Sequence, residues 1–271
     1  MHTISILTPL YTELSEITGY MWQKGWAELN AGNISIRLTG VSADTLQGLE
    51  VSAPIVLQEA VPHLANEFIL ITGTGRRMRQ ISQAPEEHTV IVSLDNTGSS
   101  YTLYFTSSNT TIFPTSELPT HLSCHALLKA TKPNCTSILH THPPELVSFS
   151  HHPAMINEEI INKTLWKMHP ETVVAAIKGM GFIPYQIPGN KEIAAATFAK
   201  LATHDIIFWQ KHGVFAVSHS LSHAFDVIDV LNKSAIMYLQ CKAAGYEPSG
   251  LTDFEINELK EVYKDFGKRF V

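Results

Sequence analysis

Long apolar runs are missing from this chain. No segment approaches the ~20 apolar residues that a membrane span requires. The first thirty residues have neither the basic start nor the apolar run of a secretory leader, which leads to the expectation of a cytoplasmic protein. Cysteine is scarce. Cys124, Cys135 and Cys241 cannot all pair within the chain and show no C-x-x-C spacing, so reduced thiols are expected, with Cys124 a small apolar helix residue. Positive charge is not in excess: 19 Lys and Arg against 25 Asp and Glu give a net charge of −6, and no basic block offsets it. Nucleic acid is therefore not an expected partner. G-x-x-x-x-G-K-[ST] is absent, and TGTGRRMRQ lacks the third glycine of a dinucleotide fingerprint, so neither nucleotide chemistry is supported. No Pro/Gly/Ser-rich linker and no repeat divides the sequence. With 44% hydrophobic and 16% charged residues it can build a sizeable core, and a single domain over 1–271 is expected.

What is present reads as interspersed helices and strands. Thr8 to about Asn30 forms an amphipathic helix, with Leu14, Ile17, Met21 and Trp22 on one face, stopped by Asn30-Ala31-Gly32-Asn33. Ile34, Ile36 and Leu38 alternate with Ser35 and Arg37 as in a half-buried strand. Residues 39–66 are irregular, apart from a possible strand at Ile55–Leu57. Phe68–Ile71 is a buried strand, and Thr89–Leu94 with Tyr101–Phe105 a hairpin around Asp95-Asn96-Thr97-Gly98. Then follow a helix to Thr131, a strand Ser137–His140, a helix Glu158–Met168, strands Thr172–Ile177 and Phe182–Tyr185, and a helix Lys191–Thr203. Strands Ile206–Gln210 and Val214–Val217 flank Lys211-His212-Gly213, and helices Leu221–Ala244 and Asp253–Lys264 close the chain. Two hairpins exclude a purely parallel sheet, so a mixed sheet covered by helices on both faces is expected.

The chemistry concentrates between Phe113 and His142. His140 and His142 alternate along a strand and so share a face, where both imidazoles can reach one metal ion. Zinc in a catalytic site takes three protein ligands and keeps a position open. His212, in KHGVFAV, is the best third ligand, and Glu117, after a Pro-Thr-Ser turn, is the nearest candidate base. His121 and His125 share a helix face but lack the Glu of the zinc-protease signature, so they are read as packing or supporting groups. The adjacent His151 and His152 are loop residues. Asn30-Ala31-Gly32-Asn33 and Thr72-Gly73-Thr74-Gly75 combine small polar side chains with glycines, which lets main-chain N–H groups approach an anion. Thr115 and Ser116 add hydroxyls beside Glu117. Each turn alone reads better as plain structure. Glu171, read at the start of a strand, passes by itself for a surface carboxylate, and Arg76, Arg77 and Arg79 for a solvated face or a steering patch.

Taken together, KGWAELNAGNISIRL, ITGTGRRMR, PTSELPTHLSCH, ILHTHP, LWKMHPETVV, PGNKEIAAAT and FWQKHGVF resemble the class II aldolase/adducin family. The resemblance runs from Lys24 to the long helix after His212, although residues 40–66 match poorly. It implies a three-layer α/β/α sandwich with a mostly antiparallel sheet, and a homotetramer with sites at subunit interfaces. It also implies zinc on His140, His142 and His212, catalysis by Glu117 and by Glu171 acting across a subunit boundary, and phosphate held at Asn30, Gly32, Asn33, Thr74, Thr115 and Ser116. The family's small hydroxyl at position 74 is often Ser, and here it is Thr74. The implied reaction is cleavage of a phosphorylated deoxyketose, with L-rhamnulose 1-phosphate favoured by the GN-S pair near residue 32 and by Glu171. Fuculose-phosphate cleavage, ribulose-phosphate epimerisation and a non-catalytic adducin-like module remain the rivals.

Overall fold

The computed structural model describes residues 6–264, so the outer limits of the expected domain lie outside the described residues. The chain forms two compact units, residues 1–141 with 220–222, and residues 142–219 with 223–271.

In the first unit, helix α1 (Thr8–Gln23) buries Leu14, Ile17 and Met21. It ends earlier than the apolar spacing suggests. Gly25, at φ +71°, closes it: Gly25 N–H donates to Trp22 O at 3.1 Å, and Trp26 N–H to Met21 O at 2.9 Å. That pair of bonds is the Schellman closure, which needs a left-handed residue just past the helix. Strands β1 (Asn33–Leu38), β2 (Glu50–Val51), β3 (Ile55–Val56), β4 (Phe68–Thr72), β5 (Thr89–Leu94), β6 (Ser100–Phe105) and β7 (Ser137–Thr141) follow. Between them lie the short helices α2 (Met78–Ile81) and α3 (Pro85–His88), and the longer α4 (Leu118–Thr131). The order β2-β6-β5-β4-β1-β7 is antiparallel throughout, and β3 also pairs with β6. Ile69 and Ile71, Val90 and Val92, and Leu103 and Phe105 hold alternate positions of three adjacent strands and form one core with Leu118 and Leu122 of α4. That packing seats the N-terminus of α4, and with it Glu117.

β1 departs from the half-buried strand that its alternation suggests. All six residues are buried, Ser35 and Arg37 included. The Arg37 guanidinium survives there because its two terminal nitrogens find partners, although Nε has none among the described residues. Arg37 Nη2 donates to Pro133 O at 2.6 Å and Nη1 lies 3.7 Å from Glu67, which also pairs with Lys129.

The second unit holds α5 (Pro144–Phe149), α6 (Glu158–Met168), α7 (Pro170–Ala175), β8 (Gly181–Ile183), α8 (Lys191–Leu201), β9 (Ile206–Trp209), β10 (Gly213–Ser218), most of α9 (Leu221–Ala243) and α10 (Asp253–Tyr263). β9 pairs antiparallel with β10 and parallel with β8. The fold is therefore α/β with a mixed, mostly antiparallel sheet, as expected. One expected strand is a helix. Thr172–Ile177 was read as β from its β-branched residues, yet Pro170 occupies the first turn of α7 and His169 caps it in extended conformation. Proline is pre-set for that position. Thr172 and Val173 go into the interior from the helix, with Thr172 Oγ1 2.6 Å from Ser234 Oγ. Packing overrides strand propensity here.

Candidate functional site

Three turns of the first unit are fastened together at the end of the sheet where β1 begins and where β4 and β7 finish. Gly32 enters β1 at φ +80°, and a Cβ there would meet His140 O at 2.9 Å. Both the conformation and the space exclude a side chain. The next residue, Asn33, is paired in register with His140 on β7. Thr72 Oγ1 accepts from Ile34 N–H at 3.1 Å, tying the end of β4 to the start of β1. Gly73 forms a bridge with Pro114, Thr74 N–H donates to Phe113 O at 2.8 Å, and Thr115 N–H donates to Thr72 O at 2.9 Å. The structure thus brings Gly32, Asn33, Thr74, Thr115, Ser116, Glu117 and His140 to one end of this unit, with Asn30 in the turn leading in.

The glycine turns do not present all their main-chain donors. The amides of Ala31, Thr74, Arg76 and Thr115 are taken up by bonds to Glu28, Phe113, Gly73 and Thr72. The exposed polar groups at these positions are side chains: Asn30, Thr74 and Ser116 are exposed, and Thr115 is half-buried. Glu117 caps α4, half-buried, where the positive end of the helix dipole favours a carboxylate. Its own N–H lies 3.4 Å from Thr115 Oγ1, and its carbonyl accepts from His121 N–H at 3.1 Å.

Behind Asn33 lies a line of buried polar groups. His121 Nε2 is 2.6 Å from Asn33 Oδ1, His121 Nδ1 is 2.6 Å from Ser35 Oγ, and His125 Nε2 is 2.8 Å from the same hydroxyl. The sequence marked His121 and His125 as supporting groups but placed Ser35 on a solvent face. The signal for Ser35 is a hydroxyl in a strand followed by two histidines one helical turn apart, and it is visible only once strand and helix are known to pack.

β7 is buried along its length, with His140 only 1% exposed. Thr141 points the other way and donates from Oγ1 to Trp26 O at 2.9 Å. His142 follows, half-buried, just before the two prolines that open α5. In the second unit His212 sits in the β9–β10 turn. Lys211 there is left-handed at φ +61°, and its N–H donates to Ser150 Oγ at 2.8 Å. The His212 ring lies 5.0 Å from that of Trp209 and 4.9 Å from that of His142, the latter edge-on at 66°. His140, His142 and His212 each offer one ligand nitrogen, and these atoms lie within 4.8 Å of one another. Three neutral imidazoles suit zinc and leave the open position that catalysis needs, so the donor set fits that ion. Glu171 lies exposed on the first turn of α7. Cys124 is buried, and burial pushes its thiol up, which fits an inert packing residue. Among the described residues no helix is long and apolar enough to cross a membrane.

Known proteins resemble this chain in sequence and in fold. The profile of the Class II Aldolase and Adducin N-terminal domain matches residues 12–239. A rhamnulose-1-phosphate aldolase of Bacteroides thetaiotaomicron is 37% identical over 253 residues, 93% of each chain. A sugar-phosphate aldolase of Thermotoga maritima superposes with a TM-score of 0.77 at 28% identity, over 90% of this chain and 99% of that one. An L-fuculose 1-phosphate aldolase, at 18% identity and a TM-score of 0.61 over 95% and 97% of the two chains, shares the fold alone.

Proposed function

The chain belongs to the class II aldolase and adducin family and is a lyase, and from that premise we propose that it cleaves L-rhamnulose 1-phosphate to dihydroxyacetone phosphate and L-lactaldehyde. The observation that carries the reading is the trio of ligand nitrogens on His140, His142 and His212, in a chain 37% identical to a rhamnulose-1-phosphate aldolase. Zinc held by these imidazoles supplies Lewis-acid polarisation of the oxygens next to the bond that breaks.

The residues of the chain do the rest. In the cleavage direction a base removes the proton of the C4 hydroxyl as the C3–C4 bond breaks. The electron pair stays on the dihydroxyacetone phosphate half, whose C3 then takes a proton. Glu117 moves the proton at C3, an assignment supported by its rigid position between the Thr115 turn and α4. Glu171 takes the proton of the C4 hydroxyl. Its exposure on α7 supports a role toward a neighbouring subunit of a homotetramer. Asn30, Gly32, Asn33, Thr74, Thr115 and Ser116 hold the phosphate, with Gly32 letting the turn approach closely and the side chains donating. The whole chain acts as one class II aldolase domain in the cytoplasm, a reading supported by the span of the family match and by three free thiols.

The test measures bound metal and aldehyde release. Wild type should carry about one zinc per chain and cleave L-rhamnulose 1-phosphate faster than L-fuculose 1-phosphate. His142→Ala should stay folded, lose most of its zinc and nearly all activity, because two ligands hold the ion poorly. Full activity in metal-free protein, or preference for the fuculose ester, would overturn the reading.

A further inference from the structure

The line His125–Ser35–His121–Asn33 is not used by the aldol chemistry, yet it ends on a residue of the phosphate site. Its protons can be counted. Ser35 has one hydroxyl hydrogen and faces two imidazole nitrogens, His121 Nδ1 at 2.6 Å and His125 Nε2 at 2.8 Å. It donates to one, and the other ring must donate to it. If Ser35 donates to His125, then His125 carries its hydrogen on Nδ1, which is buried with no hydrogen-bond partner. An orphaned buried N–H is the costlier arrangement. If Ser35 donates to His121 instead, His125 Nε2–H donates to Ser35 and the orphan is only a lone pair. His121 then carries its hydrogen on Nε2, where it donates to Asn33 Oδ1 at 2.6 Å.

We propose that His121, set by Ser35 and His125, is a positioning residue that fixes the Asn33 carboxamide so that its Nδ2 hydrogens face the substrate phosphate. The amide turned the other way would present an acceptor to an anion. Burial keeps both rings neutral, holding His121 down to about 3 and His125 well below its ordinary range, the latter helped by the charge of Arg37. A charged His121 would hold a second hydrogen on Nδ1 and force Ser35 to reverse, so neutrality is a condition of the arrangement.

The proposal rests on the reading of Asn33 as a phosphate ligand, and the experiment separates the two. Ser35→Ala removes the hydroxyl that selects the tautomer. KM for L-rhamnulose 1-phosphate and the inhibition constant of inorganic phosphate should each rise about fivefold, the scale of one hydrogen bond, with kcat changing far less. Ser35→Thr restores the hydroxyl and should recover KM. In an Asn33→Ala background, Ser35→Ala should add nothing, because its effect passes through that amide. An equal rise in both backgrounds, or no rise in either while Asn33→Ala alone raises KM, sinks the positioning role and leaves the phosphate reading standing. If Asn33→Ala changes neither constant, both fall. Asn33→Asp gives a check that leaves Ser35 intact. With His121 donating to one carboxylate oxygen, the other faces the phosphate as a bare acceptor, so KM should exceed that of Asn33→Ala. A KM at or below the alanine value would overturn the orientation.

Discussion

Two turns deliver two residues of the proposed site, and they do so by different means. Gly32 precedes Asn33 and Lys211 precedes His212, and both have left-handed backbones, at φ +80° and +61°. At Gly32 the conformation is enforced by space as well as by angle, since a Cβ would stand 2.9 Å from the carbonyl of His140. At Lys211 the side chain is exposed, and a non-glycine residue is held left-handed at a cost of about 1 kcal/mol. The hydrogen bond from its N–H to Ser150 Oγ offsets a similar amount. One turn is fixed by the absence of an atom, the other by hydrogen bonds, from Lys211 N–H to Ser150 Oγ and from His212 N–H to Trp209 O. The first is also backed by buried titratable groups, whereas the second is backed by a hydroxyl. The first should therefore be brittle to substitution and to acid, and the second tolerant of both.

Acid should separate them most. His121 and His125 are neutral when folded, with folded pKa values depressed by burial, while in the unfolded chain they titrate near 6.5. Below about pH 6.5 the unfolded state binds protons that the folded state refuses, so stability is complete above that pH and falls as the pH drops toward 3. Each ring loses about 1.4 kcal/mol per pH unit in that window, or about 4 kcal/mol for the pair at pH 5. Urea unfolding between pH 7.5 and 5 should show the loss. His125→Leu should lower the slope by about 1.4 kcal/mol per pH unit, leaving the share of His121 and smaller ones from His88 and His223. The same slope in that variant would show that His125 does not govern it.

Gly32→Ala comes next. A left-handed alanine costs about 1 kcal/mol, and relieving the contact with His140 O must shift β1 against β7. We expect a loss of about 2–3 kcal/mol in urea unfolding, together with a raised KM, because Asn33 is the neighbouring residue. A loss below about 0.5 kcal/mol would mean that the two strands separate freely at this point.

The same contrast governs what the sequence discloses. Gly32 between two asparagines marks a turn that needs glycine, and the turn is there. Lys211 carries no such mark, because one of the bonds that hold its turn goes to Ser150, sixty-one residues away in sequence. Gly25 was overlooked for a related reason: the apolar spacing of α1 runs past it, and the closure depends on bonds from Gly25 and Trp26 to Trp22 and Met21. His140 and His142 were legible because strand alternation is local. Ser35 was misread because alternation assumes that polar positions face water, and here one faces two histidines. The α7 helix was hidden behind Thr172-Val173-Val174, although Pro170 in front of them was the better guide.

The smallest expected effect tests the tolerant turn. Ser150→Ala removes the acceptor for Lys211 N–H together with the bond the hydroxyl donates to Val147 O, and should cost about 1–2 kcal/mol in urea unfolding, the usual worth of two such bonds. The second unit should otherwise keep its structure, because Ser150 closes α5 with main-chain bonds to Leu146 and Val147 that alanine retains. Lys211→Gly relieves the left-handed strain but loosens the unfolded chain, and these terms nearly cancel. It should therefore be close to neutral by itself. In the Ser150→Ala background the glycine should recover part of the loss, since a residue content with positive φ needs the hydroxyl less. The measurement is a double-mutant cycle by urea unfolding, with zinc content followed alongside to register any shift of His212. If Ser150→Ala costs as much as Gly32→Ala, the second turn is as brittle as the first. The difference between them would then lie in chemistry of the His142–His212 neighbourhood rather than in how each backbone is held.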